Sequence, residues 1–359
     1  MSTHSSFLQI LAGPRAFKHI HEHGLSPQHV GSVFGASGAA KWLAIYGLDQ
    51  AIFSRWLLNA EQPIQLFGTS VGAWKLAAAA QRDPEAALMA LANAYVAQSY
   101  GHKATMEDVV SECKRILAAF LPPEKFTEIL QHPIYRFHFG AVRCIGGLSS
   151  EKSLRLGGSL AKAFWRSRKG RNALERQVQR IVFSDPRQQA PLVSNDGYET
   201  ESVVLTVDNF YPAITASGSI PFVMPGVTDI PGAKPGVYRD GGLLDYHPVP
   251  GYFWQDNKLI LYPHFYPYLK PGWFDKFYRQ RVASRDLLDN VIILAPTQAF
   301  VESLPFQRIS DRKDFKRFRG RNEERMEIWH QVMAQSHYLG EEFLQLVNSG
   351  DIASQVQPL

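Results

Sequence analysis

Short apolar runs that end in glycine turns alternate with longer stretches of helical period over the first third of the chain. Gly31–Phe34 has the pattern of a strand end, followed by a glycine-rich turn and a helix predicted over 41–56. Pro63–Phe67 is the next apolar run. It enters a turn at Gly68–Gly72 and then the segment WKLAAAAQ, whose alanines favour helix and let it lie close on a sheet. Asp83-Pro84 marks another helix start, with proline at the first helical position, and helical patterning continues to about Phe120. Leu121-Pro122-Pro123 is a break. Beyond it, Ile134–Ile145 alternates and predicts a strand, and Ser159–Ile181 predicts a strongly basic helix. Val203–Val207 predicts a strand before YPAITASGSIPFVMPGV, and Gly236–Asp240 runs into the turn DGGLLDYHPV. Two more apolar strands are predicted at Leu259–Tyr262 and Val291–Leu294, and a helix over 322–347. Repeated strand, turn and helix imply an α/β fold with a largely parallel sheet. With no repeat and no linker, 1–359 is expected to form a single domain.

Composition narrows the class without naming it. The 359 residues are 45% hydrophobic and 20% charged, which is ordinary for a globular chain and argues against disorder. No stretch approaches the roughly 18 consecutive apolar residues of a membrane span, and the first residues lack the basic-then-apolar pattern of a secretory signal. Cys113 and Cys144 have neither metal-ligand spacing nor the look of a disulfide framework, so a cytoplasmic setting is expected. The net charge of +5 is unevenly placed: residues 151–180 hold nine Lys or Arg and two Glu, +7 in all, leaving −2 for the remainder. That segment reads either as a solvated basic face or as a contact for an anionic surface. No nucleic-acid-binding module accompanies the charge, so no nucleic-acid partner is expected.

Candidate chemistry centres on Gly68-Thr69-Ser70-Val71-Gly72. A serine on a tight strand-to-helix turn exposes its hydroxyl, small residues on either side avoid collisions across the turn, and the helix N-terminus faces developing negative charge. Gly35-Ala36-Ser37-Gly38-Ala39 is a competitor, since it also lies between an apolar strand and a helix. Ala39 stands where the second glycine would be, and the small residues with Lys41 suit a loop that presents backbone amides to an oxyanion. A serine nucleophile also needs a proton acceptor. Asp240, in Tyr238-Arg239-Asp240-Gly241-Gly242, stands at a strand end before two glycines that leave room for a close approach.

Taken together, a glycine-rich loop with a basic residue, a G-x-S-x-G about 30 residues on, and a distant D-G-G resemble the patatin-like phospholipase family. Ser37-Gly38-Ala39-Ala40-Lys41-Trp42 matches the family's G-G-G-x-R/K-G loop at Gly38 and Lys41 and departs at Ser37, Ala39 and Trp42. GLDQAI resembles the helix that follows that loop, FGTSVGAWKLA the family's elbow, ITASGSIPFVMPGV its segment of small residues with Ile-Pro, and YRDGGLLDYHPV its D-G-G block, with His247 where asparagine is frequent. The resemblance covers roughly 30–250. It leaves the first 30 residues and a C-terminal extension of about 100 without a motif. It implies a three-layer α/β/α fold, Ser70 as nucleophile, Asp240 as base, amides around Gly38 and Ala39 as oxyanion hole, Gly68 and Gly72 as the elbow glycines, and neither metal nor organic cofactor.

The implied activity is hydrolysis of lipid-type acyl esters through an acyl-enzyme, and an acyltransferase would use the same intermediate. Aromatic residues among basic ones, in SLAKAFWRSRKGRNALERQVQR and in YPHFYPYLKPGWFDKFYRQR, suit peripheral contact with an anionic membrane or else plain core packing. Two rivals stand beside this reading. One is an α/β-hydrolase with a Ser–His–Asp triad, for which His247 or His264 would be the base, although no HGGG segment precedes the elbow. The other is a lipid- or partner-binding protein that keeps the fold without turnover.

Overall fold

Strands apolar on both faces belong in the middle of a parallel sheet, and two in this chain fit that description. A computed structural model describes residues 6–102 and 104–359. Ten strands among them are β1 (Leu8–Ala12), β2 (Val30–Gly35), β3 (Ile64–Thr69), β4 (Tyr135–Cys144), β5 (Val178–Ser184), β6 (Thr200–Val204), β7 (Val237–Asp240), β8 (Leu259–Pro263), β9 (Val291–Pro296) and β10 (Val356–Pro358). They form one sheet in the order β10-β1-β9-β8-β2-β3-β4-β5-β6, with β7 also pairing β4. From β9 through β4 every neighbour is parallel, and β2 and β3 are buried at every residue. The fold is mixed α/β with a large, mostly parallel central sheet.

Aromatic residues fill the core beneath the β2–β3 pair. Phe34 and Phe67 lie 5.4 Å apart by ring centroid and both meet Phe253 and Trp254, while Trp254 donates its indole N–H to Ser32 on β2. Such rings bury the largest apolar areas available and prefer the tilted and edge contacts seen here. The stretch that follows β3 is the helix Val71–Ala79, every residue of it buried, and small alanines let it lie directly on the sheet. One side is joined to the helix Tyr46–Ala51 by a buried ion pair, Lys75 Nζ to Asp49 Oδ1 at 2.8 Å. In turn Tyr46–Ala51 packs against the long helix Asn322–Ser349, where a Cβ at Gly47 or Gly340 would run into backbone of the other helix.

Three expected elements differ. The run 41–56 is not one helix but a 3-10 turn at Ala39–Ile45, the helix Tyr46–Ala51 and a π turn at Ile52–Trp56. Most of these residues are buried, so tertiary packing sets the winding rather than an amphipathic period. The basic helix spans Ser153–Ser167. Gly170, at φ 130°, follows, and Val178–Ile181 belongs to β5. Arg180 was the misleading residue: it points inward from a strand, pairing Asp245 at 2.7 Å through Nε, and Arg171 reaches the same carboxylate at 2.7 Å. Two of the nine basic residues of 151–180 are therefore neutralised inside the molecule. Thirdly, β6 ends at Val204, and Thr206 with Asn209 forms a capping box that opens the helix Val207–Ser217.

Among the described residues no helix is long and apolar enough to cross a membrane.

Candidate active site

The turn after β3 is tight because the chain reverses from strand to helix within one residue. Ser70 takes φ 54° and ψ −131°, a conformation costly for a residue with a Cβ and often stored at functional sites. Both flanking glycines are required by close approach. A Cβ on Gly68 would fall 2.5 Å from the carbonyl carbon of Gly72, and one on Gly72 would strike the backbone of Gly35 at the end of β2. Ser217, which the sequence reading did not single out, supports the turn. Its hydroxyl accepts the Ser70 N–H at 3.0 Å and donates to the Gly140 carbonyl at 2.7 Å.

Asp240 meets Ser70 through the strand register of β4. Its first half pairs β3 in parallel, ending with Thr69 opposite Gly140. Its second half pairs β7 in antiparallel sense on the same edge, since β5 occupies the other, and ends with Asp240 opposite Ala141. Two strands thus run head to head and stop on neighbouring rungs of one partner. Across the gap, Ser70 Oγ donates to Asp240 Oδ2 at 2.8 Å, and the other carboxylate oxygen accepts the Gly242 N–H at 2.7 Å. Gly241 has to be glycine because a Cβ would enter the Gly140 carbonyl. Asp240 is only 5% exposed, and burial pushes its carboxyl up to about 6 against the opposing pull of the Ser70 and Gly242 hydrogen bonds.

Hydrogen bonds tie the three sequence blocks together. Ser37 N–H donates to the Tyr246 carbonyl at 2.9 Å, Ser37 Oγ and Thr69 Oγ1 are 2.9 Å apart, and Thr69 Oγ1 donates to the Asp245 carbonyl at 2.8 Å. The Ser37 hydroxyl is thereby occupied by β3 and meets no carboxylate, whereas Ser70 does. Gly38 has φ 172° and ψ 0° and touches Phe265 so closely that a side chain would overlap its ring. Ala39, at φ 51°, lies in the left-handed region. Among the described residues neither the Gly38 nor the Ala39 N–H donates to a protein group, and both residues line the cavity that holds Ser70 and Asp240.

That cavity has a volume of about 160 Å³, and a second of about 310 Å³ adjoins it. Ser70, Ala39, Ile220 and Arg312 line both. The larger one is walled mostly by apolar side chains, among them Val71, Trp74, Ile116, Val223 and Met224. The smaller carries Lys41, Lys276, Arg312 and Lys313 on its walls. The sequence points to Lys41, and to Lys276 only as part of the stretch YPHFYPYLKPGWFDKFYRQR. Nothing local distinguishes Arg312 and Lys313, which lie in a turn that the fold alone brings to this place.

Both histidines proposed for a triad are buried away from Ser70. His247 Nδ1 accepts the Lys270 N–H and His264 Nδ1 the Tyr266 N–H, each at 2.9 Å, and neither residue lines either cavity. Burial pushes both imidazoles far down, His264 to about 3 and His247 also under the repulsion of His264, Lys41 and Lys270. Each stays neutral in the core.

The fold and site define a mixed α/β protein with a buried serine–carboxylate pair at a strand-to-helix turn. No family model matches the chain, and no curated protein does. Among solved structures, VipD from Legionella pneumophila matches at 12% identity with a TM-score of 0.32, over 73% of this chain. The match spans 55% of that chain, about half its length. Likeness of this degree carries no weight for fold or chemistry, which leaves the site's own geometry.

Proposed function

We propose that the chain is a serine-dependent lipid acyl hydrolase of the patatin-like type, with a three-layer arrangement of helices about the sheet. It would work as one unit, since β1, β8, β9 and β10, from both ends of the chain, complete the sheet that carries the site. The observation that carries the proposal is the 2.8 Å hydrogen bond between Ser70 Oγ and Asp240 Oδ2 at the meeting point of an apolar and a cationic cavity. Ser70 attacks the ester carbonyl as Asp240 takes its proton. The alkoxide of the tetrahedral intermediate is held by the N–H groups of Gly38 and Ala39. Collapse releases the alcohol, protonated by Asp240, and leaves the acyl group on Ser70. Water deprotonated by Asp240 then frees the acid. No metal or organic cofactor enters these steps, and the acyl chain fits the apolar cavity.

Access to lipid would come through a rim of exposed apolar residues beside the cavities. Leu154 is 94% exposed and Trp165 68%, on the helix Ser153–Ser167. Phe277 meets Phe164 of that helix at 5.5 Å, and Phe222 follows Ile220 and Pro221 of the cavity wall. Exposed Arg155, Lys162, Arg166, Arg168 and Lys169 accompany them, which matches an anionic bilayer surface at the periphery of a cytoplasmic membrane.

A fluorophosphonate probe with peptide mapping, run beside hydrolysis of short and long p-nitrophenyl esters, tests the reading. The expected result is a label on Ser70, with turnover reduced at least a thousandfold in Ser70→Ala and Asp240→Ala, because a nucleophile and its base act as a unit. Folded protein without label or turnover would move the chain to the non-catalytic class, and a label on Ser37 would reassign the nucleophile.

A further inference from the structure

Elsewhere in the molecule, several buried cations are paired with carboxylates, while Arg325 and Lys270 rest on main-chain carbonyls. Arg180 and Arg171 pair with Asp245 and Asp196, and Lys75 with Asp49. The smaller cavity gathers four cations that reach solvent, Lys41 half-buried and Lys276, Arg312 and Lys313 exposed. Among the described residues, Lys41, Lys276, Arg312 and Lys313 form no ion pair with a carboxylate, although all four line one cavity. Its two acids offset them only in part, Asp240 acting on Lys276. Asp240 is engaged by Ser70 and Gly242, and Asp311 accepts the Lys313 main-chain N–H at 2.7 Å and lies 3.5 Å from the outward Arg317.

Aromatic residues position two of these cations. Lys41 Nζ donates to the Tyr246 hydroxyl at 3.4 Å, and Lys276 Nζ stands 5.6 Å from the centroid of the same ring and 4.2 Å from that of Trp273. Partial loss of solvent beside Trp273 and Tyr246, and then the charges of Arg312, Lys41 and Lys313, lower the Lys276 ammonium, and Asp240 opposes them. Like charges gathered in a cavity repel one another, and an anion of high charge density relieves them all at once. The apolar cavity next door shares Ser70 and Arg312 with this one. A substrate spanning the two would have a hydrocarbon end, a central ester at Ser70 and an anionic end.

We propose that Lys276, Arg312 and Lys313, with Lys41, form a head-group subsite for a phosphomonoester, so that the preferred substrate is an acyl lipid whose alcohol part carries a terminal phosphate. The assignment rests on Ser70 as the point where the ester sits. It adds a charge requirement that the serine–carboxylate pair does not itself impose. A zwitterionic choline head brings a cation into a cavity already rich in them, and a neutral head leaves the repulsion unrelieved.

Calorimetric titration of Ser70→Ala protein with single-chain amphiphiles below their micelle concentrations tests the subsite without turnover. Dodecyl phosphate is expected to bind at least tenfold more tightly than dodecylphosphocholine, and also more tightly than inorganic phosphate. Arg312→Gln and Lys276→Gln, introduced into that background, should each reduce the preference for dodecyl phosphate at least fivefold, and Arg312→Lys should restore most of it. Equal affinity for the two amphiphiles, or a preference untouched by both Gln variants, overturns the proposal. So does inorganic phosphate binding as tightly as dodecyl phosphate, since the cluster would then serve a free phosphate and not a lipid. Fluorophosphonate labelling of the wild type stands apart from this measurement: an unlabelled Ser70 removes the hydrolase reading while the binding preference still decides the subsite.

Discussion

Asp240 carries a cost that its proposed role as base explains. Burial raises its carboxyl from the ordinary value to about 6, so the folded chain binds a proton more tightly than the unfolded chain does. The stability contributed by this group is complete below the ordinary carboxylate range and is lost as pH rises through about 6. The loss is on the order of 3 kcal/mol, from roughly two pKa units at 1.36 kcal/mol each. Asp240→Asn has no charge to bury. It is expected to melt higher than the wild type at pH 8, with the gap shrinking towards pH 4; a gap independent of pH would contradict the assignment. The base must be ionised to take the Ser70 proton, so kcat/KM of the wild type should climb with pH about a midpoint near 6.

Ser217 is the other residue whose contribution can be isolated. Its hydroxyl bridges the Ser70 N–H and the Gly140 carbonyl, both buried. Ser217→Ala leaves these groups without a partner and should cost about 1–3 kcal/mol, read as a shift in the urea midpoint. The Ser70 turn would lose its brace, so kcat should fall about tenfold while KM changes little.

At the scale of elements, the buried pair of Lys75 and Asp49 fixes the elbow helix against the helix Tyr46–Ala51. Removing one charge from such a pair strands the other, and Asp49→Ala should destabilise the fold by about 3–5 kcal/mol. Replacing both, as Asp49→Leu with Lys75→Met, should recover most of that in the same denaturation experiment.

Elements with a period or a punctuation mark were legible in the sequence. β2, β3, β4, β8 and β9 were visible as apolar or alternating runs, and the elbow as glycines about a serine between strand and helix. What escaped was decided by distant partners. β5 was hidden because Arg180, a charged residue in a helical-looking stretch, finds its carboxylates in residues 196 and 245. The Thr206 and Asn209 capping box could have been read and would have placed the helix Val207–Ser217. The approach of Asp240 to Ser70 came from motif resemblance, and the physical cause, two strands meeting on β4, has no local signature. Lys276, Arg312 and Lys313 sit in loops that look like any basic surface.

Across the whole molecule, the helix Ser153–Ser167 presents exposed apolar residues, Leu154 and Trp165, together with a basic face, which the proposed function turns toward the bilayer. Co-sedimentation with vesicles should show binding to bilayers rich in phosphatidylglycerol, weak binding to phosphatidylcholine alone, and loss of the interaction at high salt. Leu154→Ser combined with Trp165→Ala should reduce the bound fraction severalfold. Both side chains are exposed, so melting temperature should hardly move. Binding that ignores lipid charge and these two residues would place the contact elsewhere or nowhere.

The head-to-head arrangement of β3 and β7 also separates two tasks that many sites combine. Ser70 and Asp240 are spaced by main-chain rungs of β4, while much of the cavity wall comes from other segments, such as the helix Met106–Phe120 and the loop around Arg312. The reactive pair therefore behaves like a fixed jaw, and the walls like interchangeable fittings. Under the proposed mechanism, remodelling the walls for a different chain length or head can proceed by many substitutions without resetting the distance on which bond-making depends, which would make this scaffold a tolerant starting point for new acyl specificities.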